Sequence, residues 1–323
     1  MKNEASFQNK IACFEIILMR FFIRPKPPFN FDLVAGLYSR FPVQCVDLYS
    51  KGIYERALRI KEKIYLVRVR PVDSLSHPKL LVEISSNNLV DRKSIKKKIE
   101  WMMGTKDDVK EFYRAGLKDK KFAPIIRNFY GLRAPKTPTI FEALIIAITE
   151  QQIALPVAIS MRKRLVEKYG DSIKTDHKKY YTFPSPESLA KAKVEEVREL
   201  KFSSQKSNYL VDVSKMVFNG EIDLEEMKKW DKEEIINTLT KIKGIGPWTV
   251  EYMMCRGMGR YDALPANDMG LRMGVTKYLN KRERVSEKEV RDLLEPFGKY
   301  QGYAAFYLIY TYAFKKYPQE KLF

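Results

Sequence analysis

The stretch KGIGPWTVEYMM, Lys243 to Met254, constrains the fold more than any other part of the sequence. Two glycines separated by one residue stand between two segments with helical apolar spacing, and a proline follows at once. Gly244 and Gly246 allow a tight turn with positive φ angles and bring bare backbone close to another surface. Pro247 suits the first turn of a helix, where no amide donor is needed. The stretch therefore predicts a helix–hairpin–helix over about residues 232–256.

The start of the second helix is suited to bind an anion, because its unpaired amides and the positive end of its dipole point at the same place. The chain has 59 lysines and arginines against 40 acidic residues, a formal charge of +19. Such an excess favours a polyanionic partner, most often nucleic acid, although a ribosome-associated or cell-surface protein would have the same sign. An ordinary tight turn between packed helices would also use these residue types.

The two halves of the chain differ in apolar period. Up to about residue 90, alternating segments predict strands, among them CFEIILMRF, IYERALRIKEK, IYLVRVRPV and KLLVEISS. After about residue 118 the period is helical almost throughout. We therefore expect an α+β fold, with an antiparallel sheet domain and flanking helices over residues 1–118 and an all-helical domain over residues 119–323.

Cysteine and histidine usage argues against a metal or disulfide scaffold. The cysteines are few and widely scattered: Cys13, Cys45 and Cys255. An odd, unclustered set favours a reducing compartment, and three thiolates with two histidines are a poor basis for a zinc or iron–sulfur centre. The apolar run IACFEIILM carries Glu15 and reads as a strand, so no membrane segment is expected. We expect a cytoplasmic protein without a cofactor.

Two aromatic residues and one acid follow the hairpin. Trp248 and Tyr252 are four residues apart and share one face of the second helix. Asp268 follows Pro265 in a loop, just before a new helix start. Taken alone, the rings would most often be core residues and the aspartate an N-cap. Their position after a phosphate-binding hairpin makes them candidates for a site.

The stretch LTKIKGIGPWTVEYMMCRGMGRYDALPANDMGLR resembles the signature of the helix–hairpin–helix DNA glycosylases, and within them the AlkA-type 3-methyladenine DNA glycosylases. FEALIIAITEQQIALPVAISMRKRLVEKYG is similar to a helix pair of that family, and about residues 25–315 are covered. The resemblance implies base excision repair: alkylated purines are flipped out and hydrolysed off, leaving an abasic site. The implied bases are chiefly 3-methyladenine and 7-methylguanine, with hypoxanthine and 1-methyladenine as further candidates.

The resemblance also assigns roles. Asp268, in the loop at about 258–270, matches the catalytic aspartate, whose charge offsets an oxocarbenium-like transition state. Aromatic faces attract a cationic base. The implied pocket residues are Trp248, Tyr252, Leu37 and Tyr310. Gln152 matches the residue that intercalates into DNA, although a polar helix end would look the same. The implied contacts to DNA phosphates are Gly244, Gly246, Thr249 and Lys206, where Lys206 could equally be a solvated lysine.

Two positions depart from related patterns. Trp248 stands where bifunctional relatives have a Schiff-base lysine, which implies a monofunctional glycosylase. Ile309 stands where the family often has a pocket tryptophan, so the pocket outline differs. No metal is required, although hairpin carbonyls suit a monovalent cation. The rivals are an oxidised-purine glycosylase with lyase activity and a non-enzymatic DNA-binding module.

The resemblance implies that the partner is double-stranded DNA containing a damaged base. It also implies a monomeric protein that does not associate with a membrane. The location would be the cytoplasm near the nucleoid, or the nucleus in a eukaryote.

Overall fold

A computed structural model of the chain describes residues 17–37, 45–86, 89–175, 178–279 and 281–316. Cys13, Glu15 and His177 lie outside the described residues. Within these ranges, the search for a helix with the length and apolarity of a membrane span found none.

The N-terminal part forms a five-stranded antiparallel sheet in the order β1-β5-β4-β3-β2. Its strands are β1 Ile17–Ile23, β2 Leu48–Ser50, β3 Ile53–Ile60, β4 Lys63–Pro71 and β5 Leu80–Ser86. The β3–β4 pair is a hairpin in which Ile60 lies opposite Lys63. Alternation places Leu58, Tyr65 and Val67 on one buried face, as the sequence pattern predicts. The predicted α+β class is confirmed.

Helices make up most of the rest. They are α1 Phe31–Gly36, α2 Arg92–Met102, α3 Lys110–Lys118, α4 Ala123–Asn128, α5 Ile140–Glu150, α6 Leu155–Tyr169, α7 Pro186–Ala190, α8 Val194–Glu199, α9 Ser204–Phe218, α10 Leu224–Met227, α11 Lys232–Leu239, α12 Pro247–Met253, α13 Met269–Tyr278, α14 Glu287–Leu294 and α15 Gln301–Lys316. Nearly every residue of α5 is buried, in keeping with a sequence that is apolar on all sides. Helix α5 packs against α6, α9, α10 and α12 and is the central element of that part of the helical region.

The helical region contributes to two separate cores. One core lies between α5 and α12 and is built almost wholly from residues 140–263. The other joins the inner face of the sheet and helices α2–α4 to residues 264–310, which include α13–α15. The C-terminal segment therefore shares a core with the N-terminal sheet, and α15 packs on α3 and α4, although it follows the helical region in sequence. A domain boundary near residue 118 stays a prediction.

A second, two-stranded sheet was not expected. Its strands are β6 Ser172–Lys174 and β7 Lys179–Tyr181. Tyr180 packs on Ala57 and Leu66, on the face of the large sheet opposite the helices. Its hydroxyl donates a hydrogen bond of 2.9 Å to Glu55 Oε1. The outer sheet face is thus partly covered by a hairpin from the helical region.

Candidate active site

All the candidate residues line one cleft of about 1520 Å³. They are Leu37, Gln152, Lys206, Gly244, Gly246, Trp248, Thr249, Tyr252, Asp268, Ile309 and Tyr310. The cleft walls come from the hairpin, the end of α5, the start of α13 and the middle of α15, with Leu37 added from the end of α1. Residues far apart in sequence are therefore brought to one concave surface. Their individual roles stay predictions.

The hairpin is anchored between its two glycines. Helix α11 ends at Leu239, four residues before the predicted end at Lys243, and α12 begins at Pro247. Ile245 is 4% exposed and inserts into the core between the glycines. Gly246 is the N-cap of α12. The hairpin backbone is thus held from inside, with the start of α12 left at the cleft.

The two hairpin glycines have different requirements. Gly244 has a φ of +89°, and a Cβ built there would lie 2.3 Å from the ring of Tyr209. Gly246 has an extended φ of −99°, and a Cβ built there would meet nothing within 4 Å. Folding therefore requires glycine at position 244. At position 246 the free protein leaves space in which a ligand can approach the backbone.

We expect the alanine variants of these glycines to separate folding from binding. Gly244→Ala should lose about 2 kcal/mol or more of unfolding free energy, because of both the clash and the left-handed backbone. Gly246→Ala should stay within about 0.5 kcal/mol of wild type but bind duplex DNA more weakly. Denaturant unfolding and DNA titration of both variants test this. Equal DNA affinity in Gly246→Ala and wild type would contradict a backbone approach at that residue.

Asp268 is the N-cap of α13 and lies against the first ring of the hairpin helix. Its Oδ1 accepts a hydrogen bond of 2.8 Å from the Leu271 amide, and its Oδ2 accepts one of 3.1 Å from Trp248 Nε1. Burial raises the pKa of the Asp268 carboxyl above its usual 3.8, while these two donors work in the opposite direction. The carboxylate is therefore fixed by two donors in a half-buried position.

The loop before Asp268 is held by buried residues. Helix α12 continues into a π-helical turn, Met254–Met258, a feature often found near functional sites. In the following loop Ala263, Leu264 and Ala266 are at most 2% exposed. Arg291 on α14 donates to the Leu264 carbonyl at 3.3 Å. The position of Asp268 is thus set by packing on both sides of the loop.

Arg291 has a second partner that sequence reasoning missed. It pairs with Glu251 on α12, with its Nη2 3.0 Å from Oε1. Burial raises the pKa of the Glu251 carboxyl to about 7, although Arg291 lowers it. Through Arg291, helix α12 and the loop that carries Asp268 are connected. The only sequence signal was an acid on a helix face that is otherwise apolar.

The aromatic pair forms one wall of the pocket. The ring centroids of Trp248 and Tyr252 are 5.5 Å apart with planes at 43°. The rings are tilted, so a flat base would stack on one of them and contact the edge of the other. Gly270 leaves space beside the carboxylate, since a Cβ there would lie 3.1 Å from Asp268 Oδ1. The pocket floor is therefore open next to the acid.

Another wall of the cleft is lined by residues of α15 and by Leu37 at the end of α1. Ile309 lies across from Gly270, its Cγ2 being 3.9 Å from where a Cβ of that glycine would stand. Tyr310 is 4% exposed, and its ring packs edge-on against Phe129 with centroids 4.9 Å apart. Leu37 is half-buried at the end of α1. With Ile309 in place of a large ring, this wall is aliphatic beside the acid.

Two of the predicted phosphate ligands have other partners. Thr249 is 1% exposed, and its Oγ1 accepts a hydrogen bond of 2.9 Å from Gln151 Nε2. Lys206 is 9% exposed, and its ammonium donates to the carbonyl oxygens of Thr149 at 3.0 Å and Gln151 at 2.5 Å. Burial lowers the pKa of Lys206. Both side chains therefore stabilise the site from inside, and the geometry does not favour either as a phosphate ligand.

Gln152 lies in the turn between α5 and α6. It is exposed and has a left-handed φ of +54°. Glu150, two residues earlier, was not predicted as a site residue, yet it lines the same cleft and pairs with Arg162 at 2.8 Å. Its charge also contributes to raising the pKa of Asp268. The turn after α5 therefore presents both an acid and an exposed amide to the cleft.

The hairpin carbonyls are partly engaged already. The Gly244 carbonyl accepts from Gln151 Nε2 at 2.8 Å, and the Ile242 carbonyl accepts from the Ile245 amide at 3.0 Å. A carbonyl oxygen has two lone pairs, so a monovalent cation would have to share these oxygens with their present donors. Cation binding at the hairpin stays a prediction.

Comparison with known proteins agrees with this geometry. The model of the HhH-GPD superfamily of base excision DNA repair proteins matches residues 145–299. A DNA-3-methyladenine glycosylase of Bacillus subtilis is 30% identical over 287 residues, 87% of this chain and 94% of the relative. The solved 3-methyladenine DNA glycosylase of Archaeoglobus fulgidus superposes with a TM-score of 0.81 at 29% identity, over 93% of this chain and 100% of that one.

A more distant structure shares the fold alone. The Clostridium acetobutylicum 8-oxoguanine glycosylase/lyase, solved with double-stranded DNA, is 22% identical with a TM-score of 0.73, over 94% of this chain and 98% of that one.

Proposed function

We propose a reaction for this chain from the premise that it belongs to the HhH-GPD superfamily of base excision repair proteins, as a DNA-3-methyladenine glycosylase. In this proposal the protein is a monofunctional glycosylase that hydrolyses the N-glycosidic bond of alkylated purines in duplex DNA. The observation that carries this is the contact between Asp268 and Trp248 inside the cleft. The substrate range would include 3-methyladenine and 7-methylguanine, with hypoxanthine and 1-methyladenine to be tested. The product would be an abasic site. The partner would be a damaged duplex bound by a monomer in the cytoplasm, or the nucleus in a eukaryote.

In the proposed reaction, three parts of the cleft have different roles. A base can be attacked only after it leaves the stack, and Gln152, which is exposed at the cleft, would fill the gap. The start of α12, with Gly246 at its N-cap, would hold the backbone beside the flipped nucleotide. As the N-glycosidic bond breaks, positive charge develops on the sugar, and the fixed carboxylate of Asp268 offsets it. The same carboxylate can orient the attacking water.

The monofunctional assignment rests on what touches the acid. Among the described residues, the side chain that donates to Asp268 is the Trp248 indole, which has no amine for a Schiff base. Lys206 is in the cleft, but its ammonium is held by the carbonyl oxygens at the end of α5. Hydrolysis by water therefore fits the site better than attack by an amine.

Selection by charge predicts a substrate-dependent effect at Tyr252. We expect Tyr252→Leu to lower excision of cationic 7-methylguanine about 10-fold, while neutral hypoxanthine loses about 3-fold or less. The reason is that a ring face over a cation contributes about 0.5–2 kcal/mol that a neutral base does not gain. Single-turnover excision of the two lesions in the same duplex sequence measures the difference. An equal loss for both bases would contradict recognition by charge.

The direct test is the release of bases from methylated duplex DNA. Chromatography of the supernatant should show free 3-methyladenine and 7-methylguanine, and the DNA should contain abasic sites with the strands intact. Borohydride added during the reaction should trap no covalent protein–DNA adduct. A trapped adduct, or strand cleavage in step with base release, would overturn the monofunctional assignment while leaving the glycosylase itself in place.

A further inference from the structure

The turn after α5 sends three consecutive side chains to three different places. Glu150 faces the cleft and pairs with Arg162, and Gln152 is exposed to solvent. Gln151, between them, is half-buried and points at the hairpin. The resemblance to known glycosylases gives Gln151 no role, yet its side chain donates two hydrogen bonds to the hairpin.

The amide of Gln151 joins both sides of the hairpin. Its Nε2 donates to the Gly244 carbonyl at 2.8 Å and to Thr249 Oγ1 at 2.9 Å. These acceptors lie on either side of Gly246, the N-cap of α12. An amide nitrogen has two hydrogens, so both are used here.

The backbone of the same residue is held from the other side. Lys206 on α9 donates to the carbonyl oxygens of Gln151 and Thr149. Tyr209, one turn later on α9, packs against Gly244 so closely that only a glycine fits. The α5 turn, the hairpin and α9 thus form one closed set of contacts, with Gln151 at the point where they meet.

We propose that Gln151 is a positioning residue that fixes the turn carrying Gln152 to the hairpin. It would thereby set the distance between the hairpin, which binds the DNA backbone, and Gln152, which inserts into the base stack. The proposal rests on the proposed function, in which Gln152 is the intercalating residue. Gln152 sits at a φ of +54°, a conformation that a non-glycine residue keeps only when its surroundings hold it. Without Gln151 the turn is released on the hairpin side, and Gln152 no longer enters at a fixed depth.

The proposal predicts a defect that depends on whether the lesion is paired. Gln151→Ala should lower single-turnover excision of 7-methylguanine opposite cytosine about 10-fold or more. Opposite an abasic-site analogue, where unpairing is already achieved, the loss should be about 3-fold or less. Thr249→Val, which removes one of the two acceptors and keeps the side-chain volume, should show the same pattern more weakly. Asn208→Ala, an exposed amide on α9, should match wild type.

A double-mutant cycle decides whether Gln151 acts through Gln152. Gln152→Ala should show the paired-lesion defect, and adding Gln151→Ala to it should change the rate by less than about 2-fold. Equal losses on paired and unpaired lesions, or a further 10-fold loss in the double variant, would overturn the proposal. Melting temperatures check that each variant is folded; if Gln151→Ala is not, Thr249→Val decides.

The two levels of assignment fail differently. If Gln152→Ala excises the paired lesion at the wild-type rate, Gln152 is not the intercalating residue and the inference about Gln151 falls with it. If Gln152→Ala is impaired but Gln151→Ala acts independently, only the inference about Gln151 fails. Base release from methylated DNA tests the glycosylase assignment separately from both.

Discussion

Asp268→Asn should lower excision of 7-methylguanine on the order of 10³-fold, since it removes the carboxylate that offsets the charge of the developing oxocarbenium ion. Binding to undamaged duplex DNA should be equal or tighter, because a negative charge near the phosphates is lost. Asparagine is as good an N-cap as aspartate, so α13 should keep its start at this residue. Single-turnover excision and a DNA titration measure the two effects. An Asp268→Asn enzyme with near wild-type excision would refute the catalytic assignment.

The raised pKa of Asp268 leads to further expectations for the wild type, for Asp268→Asn and for Glu150→Gln. Its folded-state pKa is raised above 3.8, so wild-type excision should fall as pH drops through that raised value and the carboxylate takes up a proton. For the same reason the ionised acid costs stability at pH values above that raised pKa, and the cost declines as the pH falls from the raised value to 3.8. Asp268→Asn should therefore melt no lower than wild type at neutral pH. Glu150→Gln, which removes a nearby negative charge, should shift the acid limb of the wild-type profile to lower pH.

Arg56→Met should lower the free energy of unfolding by about 3–5 kcal/mol. Arg56 is 3% exposed on β3 and bonds two buried carboxylates: Asp47 Oδ1 at 2.7 Å and the Glu142 oxygens at 2.6 and 2.8 Å. Removing the guanidinium leaves both acids buried without their cation. Denaturant unfolding at pH 8 measures the loss.

The pH dependence of that loss identifies its cause. Burial already raises the pKa of Glu142, and without Arg56 it should rise further, so that the carboxyl accepts a proton in the folded state. The deficit should shrink as pH falls from 8 to 5. Glu142→Gln leaves Arg56 paired with Asp47 and should cost clearly less. A deficit that is constant with pH would mean that lost packing, and not unpaired charge, explains the variant.

The sequence predicted those features that are determined by residues close to one another in the chain. The hairpin glycines, Pro247 and the two rings on one helix face are set by backbone and spacing, and they appear where the motif predicts them. Strand alternation in β3 and β4 likewise follows the sequence, since one face must be buried. These features depend on neighbours within a few residues.

What the sequence did not indicate depends on distant partners. Lys206 and Thr249 read as DNA ligands, but their polar atoms satisfy carbonyl and amide groups of the α5 turn, 55 and 98 residues away in the chain. Gln151 carries no local signal that separates it from Gln152, and only the fold shows which one faces the hairpin. The β6–β7 hairpin is too short for its period to be recognised, and it is held by the outer face of a sheet more than a hundred residues earlier.

The chain leaves one core and returns to the other after residue 263, and this order affects folding during synthesis. A ribosome delivers the sheet and helices α2–α4 first, yet the core that they share with residues 264–310 is incomplete until those residues have emerged. The core around α5 is complete by residue 263, so it can fold during synthesis before the core of the N-terminal sheet is complete. Asp268 lies just past that crossing. A nascent chain could therefore contain the folded hairpin before Asp268 is in place. Such a chain would bind DNA before it could excise a base.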